Sequence, residues 1–129
     1  MRRVYPVLFT CLDDGYMAFV PDFQINTQGD DLAEAIFMAR DAIGLMGIDM
    51  EDDHEELPLP TDAAAISCGE NELISMVDVD FTEYRRKHEQ RTVRKNVTLP
   101  SWLNVEAEQA GLNFSKVLQE GLKAKLGLT

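Results

Sequence analysis

The amino-acid sequence predicts an α+β fold in two parts that carry opposite charge. Residues 1–90 contain 6 Lys or Arg and 20 Asp or Glu, a net charge of −14, whereas residues 91–129 contain 6 and 3, a net charge of +3. Strand-like apolar runs occur in the first part, and helical spacing dominates the second. Since 45% of the 129 residues are hydrophobic, the chain has enough apolar surface to build a folded core.

The first part predicts the order β-β-β-α-β. Residues 4–12 are rich in β-branched and aromatic types, and an Asp-Asp-Gly turn at 13–15 separates them from the apolar run 16–20. Two such runs joined by a turn that contains Asp-Gly are typical of a hairpin. Residues 23–28 are predicted as a short third strand and residues 73–79 as the last strand.

An amphipathic helix of about four turns is predicted between the third and fourth strands. Its N-cap is Asp30 or Asp31, and Gly47 together with the acidic run 51–53 ends it. Residues 37–38 (Phe-Met) lie beside its apolar stripe, and we interpret them as part of a wide buried face rather than a partner-facing patch. The stripe has steps of three and four residues and consists of Leu32, Ala35, Ile36, Ala39, Ile43 and Met46.

The chain is predicted to divide into residues 1–80, a polar linker or hinge at 81–92, and a small module at 93–129. The module reads as a short strand, a helix that ends at Gly111, and a second helix that begins at Asn113. Such a module is too small to bury its apolar faces, and a lone strand leaves both edges unpaired. Two copies that pair their strands antiparallel solve both problems, which predicts a dimeric ribbon-helix-helix fold.

The strand of this module predicts a surface that reads DNA. Alternation places Val97 and Leu99 on one face and Arg94, Asn96 and Thr98 on the other. A two-stranded ribbon fits the major groove, where Arg pairs with guanine, Asn with adenine, and Thr with either edge or a thymine methyl. The start of the second helix offers amides, a hydroxyl and a cation to a phosphate. The predicted DNA-binding residues are Arg94, Asn96, Thr98, Asn113, Ser115 and Lys116, and the predicted dimer core is Val97, Leu99, Trp102, Leu118 and Leu122.

Other chemistry-bearing residues give weaker signals. Cys11 and Cys68 lack metal-ligand spacing, so we expect two buried thiols and no zinc site. His54 and His88 have no nucleophile or second histidine at catalytic spacing and are expected at the surface. A metal-dependent nuclease is the less favoured alternative. Such an enzyme would need clustered carboxylates to hold its metal ions. The candidates for it are Asp13, Asp14, Asp22, Asp78 and Asp80.

Several segments together resemble HicB-type antitoxins of HicA/HicB toxin–antitoxin systems. In the C-terminal part these are residues 93–103 and 111–122, and in the N-terminal part residues 5–7, 21–23 and 27–36 around the Asp-Gly turn. The resemblance implies a partial ribonuclease H-like N-terminal domain that binds HicA, a small basic ribonuclease with a catalytic histidine. It also implies a C-terminal ribbon-helix-helix that dimerises and represses the operon encoding both proteins.

The resemblance carries further expectations and one departure. We expect a cytoplasmic protein, not an enzyme, without cofactor or metal, whose dimers could pair further into tetramers. At residues 23–26 the sequence Phe-Gln-Ile-Asn replaces the Leu-Pro-Gly-Cys-like turn of the family. A stand-alone repressor whose N-terminal domain senses a small ligand is the alternative function. The acidic part suits a basic toxin, and the candidate toxin-binding residues are Asp13, Asp14, Asp22, Glu51, Asp52 and Asp53.

Overall fold

The chain packs as two units, Met1–Arg91 and Thr92–Thr129, which we call the N-terminal and C-terminal units. The computed structural model describes residues 1–89 and 91–128. Gln90 in the predicted linker and Thr129 at the end of the predicted module lie outside the described residues. In the part of the chain that is described, no helix is long and apolar enough to cross a bilayer.

A four-stranded antiparallel sheet organises the N-terminal unit. Its strands are β1 (Arg2–Leu12), β2 (Gly15–Val20), β3 (Ile25–Gly29) and β4 (Glu72–Asp80), and their spatial order is β3-β2-β1-β4. The predicted β-β-β-α-β order is confirmed, because the long crossover after β3 returns the chain to the free edge of β1. β1 is therefore a central strand with partners on both sides.

The corner between β2 and β3 is where the sequence departs from the pattern of the family that it resembles. Residues 21–24 form a turn in which the backbone amide and the side-chain amide of Gln24 both donate to the Pro21 carbonyl, at 3.3 and 2.7 Å. Gln24 has a φ of 53°, in the left-handed region that favours glycine. The second hydrogen bond helps a non-glycine residue to hold that conformation.

Helix α1 (Leu32–Asp52) covers one face of the sheet and is longer than predicted. Asp31 is the N-cap, as expected, and accepts a hydrogen bond from the Glu34 amide at 2.8 Å. The prediction that Gly47 helps to end the helix is wrong, since Gly47 is buried inside it. A Cβ there would overlap the ring of Phe81, so the glycine makes room for an aromatic side chain.

Helix α2 (Phe81–His88) occupies most of the predicted linker at 81–92, and it packs on α1. Phe81 belongs to the core, and the Tyr84 hydroxyl donates to Asp41 at 2.8 Å. A Cβ at Gly44 would overlap the Tyr84 ring, so two glycines of α1 create the groove that receives α2. The sequence of α2 is mostly polar, so it did not indicate this packing. The contacts with α1 are made by two aromatic residues, Phe81 and Tyr84.

The core lies between α1 and the facing side of the sheet, and two expectations about burial are wrong. Phe37 is 61% exposed, because it points away from the sheet. Cys11 and Cys68 are both exposed free thiols rather than buried ones. Cys11 lies near the end of β1, and Cys68 lies in the connection between a short 3-10 turn, Ala63–Ala65, and β4. The buried core residues are Tyr5, Val7, Phe9, Ala18, Val20, Ala35, Ala39, Ile43, Val77, Val79 and Phe81.

The C-terminal unit contains helices α3 (Ser101–Gln109) and α4 (Phe114–Leu126). Both predicted helix ends are confirmed, because Gly111 and Gly127 take positive φ values of 69° and 72° at the turns that follow the helices. Residues 91–100 belong to no helix or strand. The ribbon strand therefore stays a prediction, since its partner would be a second copy of the chain.

We predict that Gly47→Ala destabilises the N-terminal unit by about 1 to 2 kcal/mol, although alanine is the better helix former. The added methyl group must displace the Phe81 ring. Urea denaturation of the full chain, followed by far-ultraviolet circular dichroism at fixed protein concentration, measures the change. In a Phe81→Leu background the same substitution should cost less; an equal cost in both backgrounds would contradict the contact.

Candidate DNA and partner interfaces

The C-terminal unit carries an apolar groove that nothing in the unit covers. Its volume is about 370 Å³, and α3 and α4 contain no buried residue. Exposed apolar side chains on this scale are unfavourable in water, so the groove is a candidate interaction surface. The lining residues are Lys95, Val97, Leu99, Leu103, Ala107, Leu112, Phe114, Ser115, Val117 and Leu118.

The structure brings together some of the predicted dimer-core residues. Val97, Leu99 and Leu118 line the groove, whereas Leu122 and Trp102 do not. Leu122 lies one helical turn beyond Leu118 on the same face of α4, so it extends the apolar strip. Trp102, with 69% of its surface exposed, lies outside the groove lining.

Of the predicted DNA-binding residues, Arg94, Asn96 and Thr98 are exposed and do not line the groove, whereas Ser115 is exposed and lines it. Lys95, Val97 and Leu99 line it, so Arg94, Asn96 and Thr98 alternate with the lining residues along the chain. This is the two-sided arrangement that the sequence pattern predicts. The apolar side of the segment and its polar side are thus separate surfaces.

A side chain from the residue before α4 caps the start of this helix. The side chain of Asn113 accepts a hydrogen bond from the Lys116 amide at 3.1 Å, which is a standard N-cap. Lys116 therefore offers its side-chain cation rather than its amide to a phosphate, and the Ser115 hydroxyl lies in the same first turn. Anion recognition at this helix start is left to those groups and to the helix dipole.

The six acidic residues proposed for toxin binding do not form one surface. Asp14 lines a cleft of about 300 Å³ between the hairpin and the start of α1, together with Asp30 and Glu34. Glu51 lines another cleft at the far end of α1, beside Arg3. A helix of 21 residues is about 30 Å long, so α1 separates the two groups by most of that distance.

Several of these carboxylates already have partners within the unit. Asp22 accepts hydrogen bonds from the Thr61 hydroxyl at 2.5 Å and from the Thr61 amide at 3.1 Å. Asp52 lies 3.0 Å from the Arg85 guanidinium, whose pKa is raised chiefly by the hydrogen bond to Glu89. Asp53 is the C-cap residue of α1 through its backbone amide, which donates to the Asp49 carbonyl at 3.1 Å, so its carboxylate is not used there. Structural roles therefore account for part of the acidic pattern that suggested a toxin site.

The carboxylates considered for a nuclease are also held apart. Asp78 accepts a hydrogen bond from Arg40 at 3.1 Å, and Asp80 caps α2 through the amides of Thr82 and Glu83, at 3.1 and 3.2 Å. Within residues 1–89 and 91–128, no three His, Cys, Asp or Glu side chains come close enough to hold a metal ion. The arrangement gives these residues stabilising contacts instead of a shared site.

Sequence reasoning missed the aromatic contacts of α2. The rings of Tyr84 and His88 stack with centroids 4.1 Å apart, and burial together with the hydrogen bond to Asp41 raises the pKa of Tyr84 to about 12. His88 and His54 are both exposed, as expected. Tyr84 and His88 have the i, i+4 spacing of neighbours on a helix, which was the one available signal.

The fold and the interfaces define a protein with an acidic α+β unit and a small helical unit whose apolar groove is open to a second chain. The family described as HicB-like antitoxin of bacterial toxin–antitoxin systems matches residues 5–119. That range includes nearly all of both units. The chain belongs to this family.

Individual relatives agree with this assignment. The chain is 34% identical over 104 residues to an uncharacterized 14.9 kDa protein in the rep-hol intergenic region of Haemophilus phage HP1, covering 78% of this chain and 75% of that protein. A chain of a toxin–antitoxin complex from Streptococcus pneumoniae is similar with a TM-score of 0.63 and 30% identity, covering 97% and 99%. A chain of a HicA3 and HicB3 toxin–antitoxin complex has a TM-score of 0.50 and 19% identity, covering 60% and 99%, which shows the fold alone.

We predict that Asp80→Ala lowers the free energy of unfolding by about 1 kcal/mol at pH 7, the usual value of an N-cap. The backbone hydrogen bond from Glu83 is the main cause that lowers the pKa of Asp80, with the chain N-terminus and Arg2 contributing. The stabilisation is therefore full at neutral pH and disappears as the pH falls through the lowered pKa, below about 4.

Chemical denaturation at pH 7 and at pH 3 measures this difference between Asp80→Ala and the unchanged chain. Asp78→Asn is the matched control, because Asp78 lies on the same strand but caps no helix. If the difference in free energy of unfolding between Asp80→Ala and the unchanged chain is the same at both pH values, the role of the Asp80 charge is contradicted.

Proposed function

We propose that this chain neutralises a HicA-type ribonuclease toxin through its N-terminal unit and represses its own operon through a dimeric ribbon-helix-helix. Both activities would take place in the cytoplasm. The uncovered apolar groove of the C-terminal unit is the observation that carries the proposal. It calls for a second chain, and the segment beside it alternates between groove-lining and outward residues.

Dimerisation follows from the energetics of that groove. Leu99, Leu103 and Leu118 are all exposed in the single chain. Covering such side chains contributes about 25 cal/mol for each Å² of apolar surface removed from water. A second copy supplies the same groove and the same strand, so one symmetric interface covers both copies and pairs both strand edges.

DNA binding follows from the polar side of the same segment. Arg94, Asn96 and Thr98 alternate with the groove-lining residues, so pairing two copies through the groove leaves them on the outer side of the ribbon. Residues 91–129 carry a net charge of +3, which favours approach to phosphates, whereas the acidic unit would be repelled by them. The proposal therefore assigns the operator to the C-terminal unit alone.

Toxin binding is supported by charge and by one relative. The net charge of −14 on residues 1–90 would speed association with a small basic protein and favour it over acidic competitors. The chain of the Streptococcus pneumoniae complex, to which this chain is 30% identical over nearly its whole length, belongs to a toxin–antitoxin complex. We extend that partnership to this chain.

We predict that Leu118→Glu converts the dimer to a monomer and abolishes operator binding at micromolar concentration. The carboxylate would be buried unpaired in the interface, which is strongly unfavourable. Sedimentation equilibrium measures the association state. Gln119→Glu adds the same charge one residue away, outside the groove lining, and should leave the dimer intact. A dimeric Leu118→Glu variant would contradict the groove as the interface.

We predict that Arg94→Ala separates the two activities. Loss of one bidentate contact to guanine should weaken operator binding by about 10-fold or more, equivalent to 1 to 3 kcal/mol. Toxin neutralisation in cells that co-express the cognate HicA-type toxin should remain. Fluorescence anisotropy at fixed salt measures the first activity, and growth rescue measures the second.

Lys125→Ala is the matched control for this experiment, because it removes one cation from the last turn of α4. It should change operator affinity by much less than Arg94→Ala. If the unchanged chain fails to rescue growth, the antitoxin half of the proposal is wrong; if Arg94→Ala binds the operator normally, the ribbon contact is wrong.

A further inference from the structure

The face of the sheet that points away from α1 is more apolar than a solvated sheet face should be. Antiparallel sheets with one covered face normally alternate between apolar inward and polar outward residues. In β1 the inward residues Tyr5, Val7 and Phe9 meet α1 in the core. The outward residues of β1 are Arg2, Val4, Pro6, Leu8, Thr10 and Leu12, of which Arg2 and Thr10 are polar and Pro6 is buried.

The apolar outward residues of neighbouring strands extend this surface. Leu8 lies opposite Phe19 on β2 and opposite Ile74 on β4, and Pro6 lies opposite Met76. Met76 is 49% exposed, so this surface is open to a partner of adequate shape. We call it the outer sheet face, and its accessible residues are Val4, Leu8, Met17, Phe19, Ile74 and Met76.

Carboxylates border the outer sheet face along β4. Glu72, Asp78 and Asp80 occur at alternate positions with Ile74 and Met76, so all five share the outward side of that strand. An apolar surface bordered by carboxylates matches a partner with an apolar patch bordered by Lys or Arg. A second copy of this unit would instead bring two surfaces of net charge −14 together.

The free edge of β4 is a less favourable place for a partner. The Arg40 guanidinium donates to the Asp78 carbonyl at 2.9 Å and to the Asp78 carboxylate at 3.1 Å. This contact occupies a backbone acceptor that an added strand would need. Docking on the face avoids that competition, because it leaves the ladder of β4 unchanged.

We propose that the outer sheet face is the surface on which the basic toxin docks, with Leu8 near its centre and Met17 and Met76 on the two flanking strands. This inference rests on the proposed antitoxin function and locates its toxin site. It moves that site from the acidic turn and the end of α1 to the middle strands. The net negative charge of the unit then steers the toxin at long range, while the apolar rows supply most of the affinity.

Methionine methyl groups allow a direct test in the full chain. Of its six methionines, Met17 and Met76 lie on the outer sheet face, Met38 lines the hairpin cleft, and Met46 lies on α1. Chain labelled with ¹³C at the methionine methyl groups is titrated with a catalytically inactive form of the cognate HicA-type toxin. We expect the Met17 and Met76 signals to shift and to lose contact with a soluble paramagnetic probe, while Met38 and Met46 stay unchanged.

A pair of variants gives a second measurement. Met76→Lys places a cation against a basic partner and should weaken toxin binding by about 10-fold or more in calorimetry. Met46→Lys is the matched control, since Met46 is 38% exposed and belongs to α1. The affinity of this variant for the toxin should stay within about 2-fold of that of the unchanged chain. Thermal denaturation verifies that both variants fold; if Met76→Lys does not, Met17→Lys takes its place.

The outcomes separate the inference from the function on which it rests. If the unchanged chain binds no toxin, the proposed function fails and the inference with it. If it binds but the signals of Met38 or Met46 shift instead, or Met76→Lys binds normally, only the location is wrong. Concentration-dependent shifts of Met76 without toxin would assign the face to a second copy and overturn the inference.

Discussion

The central position of β1 is the constraint on which the N-terminal unit depends. Because β1 pairs with β2 on one side and β4 on the other, its alternation fixes which residues of three strands face α1. Tyr5, Val7 and Phe9 thereby enter the core, and the opposite set of apolar residues is committed to the outer sheet face. A shift of one residue would exchange the two sets, so both packing and partner surface depend on this register.

A different constraint governs the C-terminal unit, which has too few residues to cover its own apolar surface. Its helices begin and end where local signals place them, at Asn113, Gly111 and Gly127. Their apolar faces nevertheless remain exposed in the single chain. Local capping therefore accounts for the helices, whereas the exposed apolar surface is what leads us to propose a second chain, and dimerisation would couple folding to the assembly that binds DNA.

Acidic residues serve two purposes in the N-terminal unit, and this explains why their sequence positions were poor guides to a binding site. Asp31 and Asp80 cap helices, Asp22 fixes a loop, and Asp78 holds Arg40 against the edge of the sheet. The overall charge still acts at a distance on a basic partner. A carboxylate with a local structural contact therefore still contributes to the net charge of the unit.

The sequence by itself determined the element order, the helix caps and the two-sided C-terminal segment, because these depend on neighbours a few residues apart. Only the tertiary structure decided that Gly47 lies inside α1 and that α2 packs against it, since both depend on the Phe81 ring reaching α1 from a distant part of the chain. Exposure of Cys11 and Phe37 was decided in the same way, by where the single covering helix lies. For the C-terminal unit, alternation and helix spacing indicate the segments, and the structure shows that their apolar residues line one groove. Local chemistry fixes secondary structure, and the packing of distant segments fixes which surfaces remain for partners.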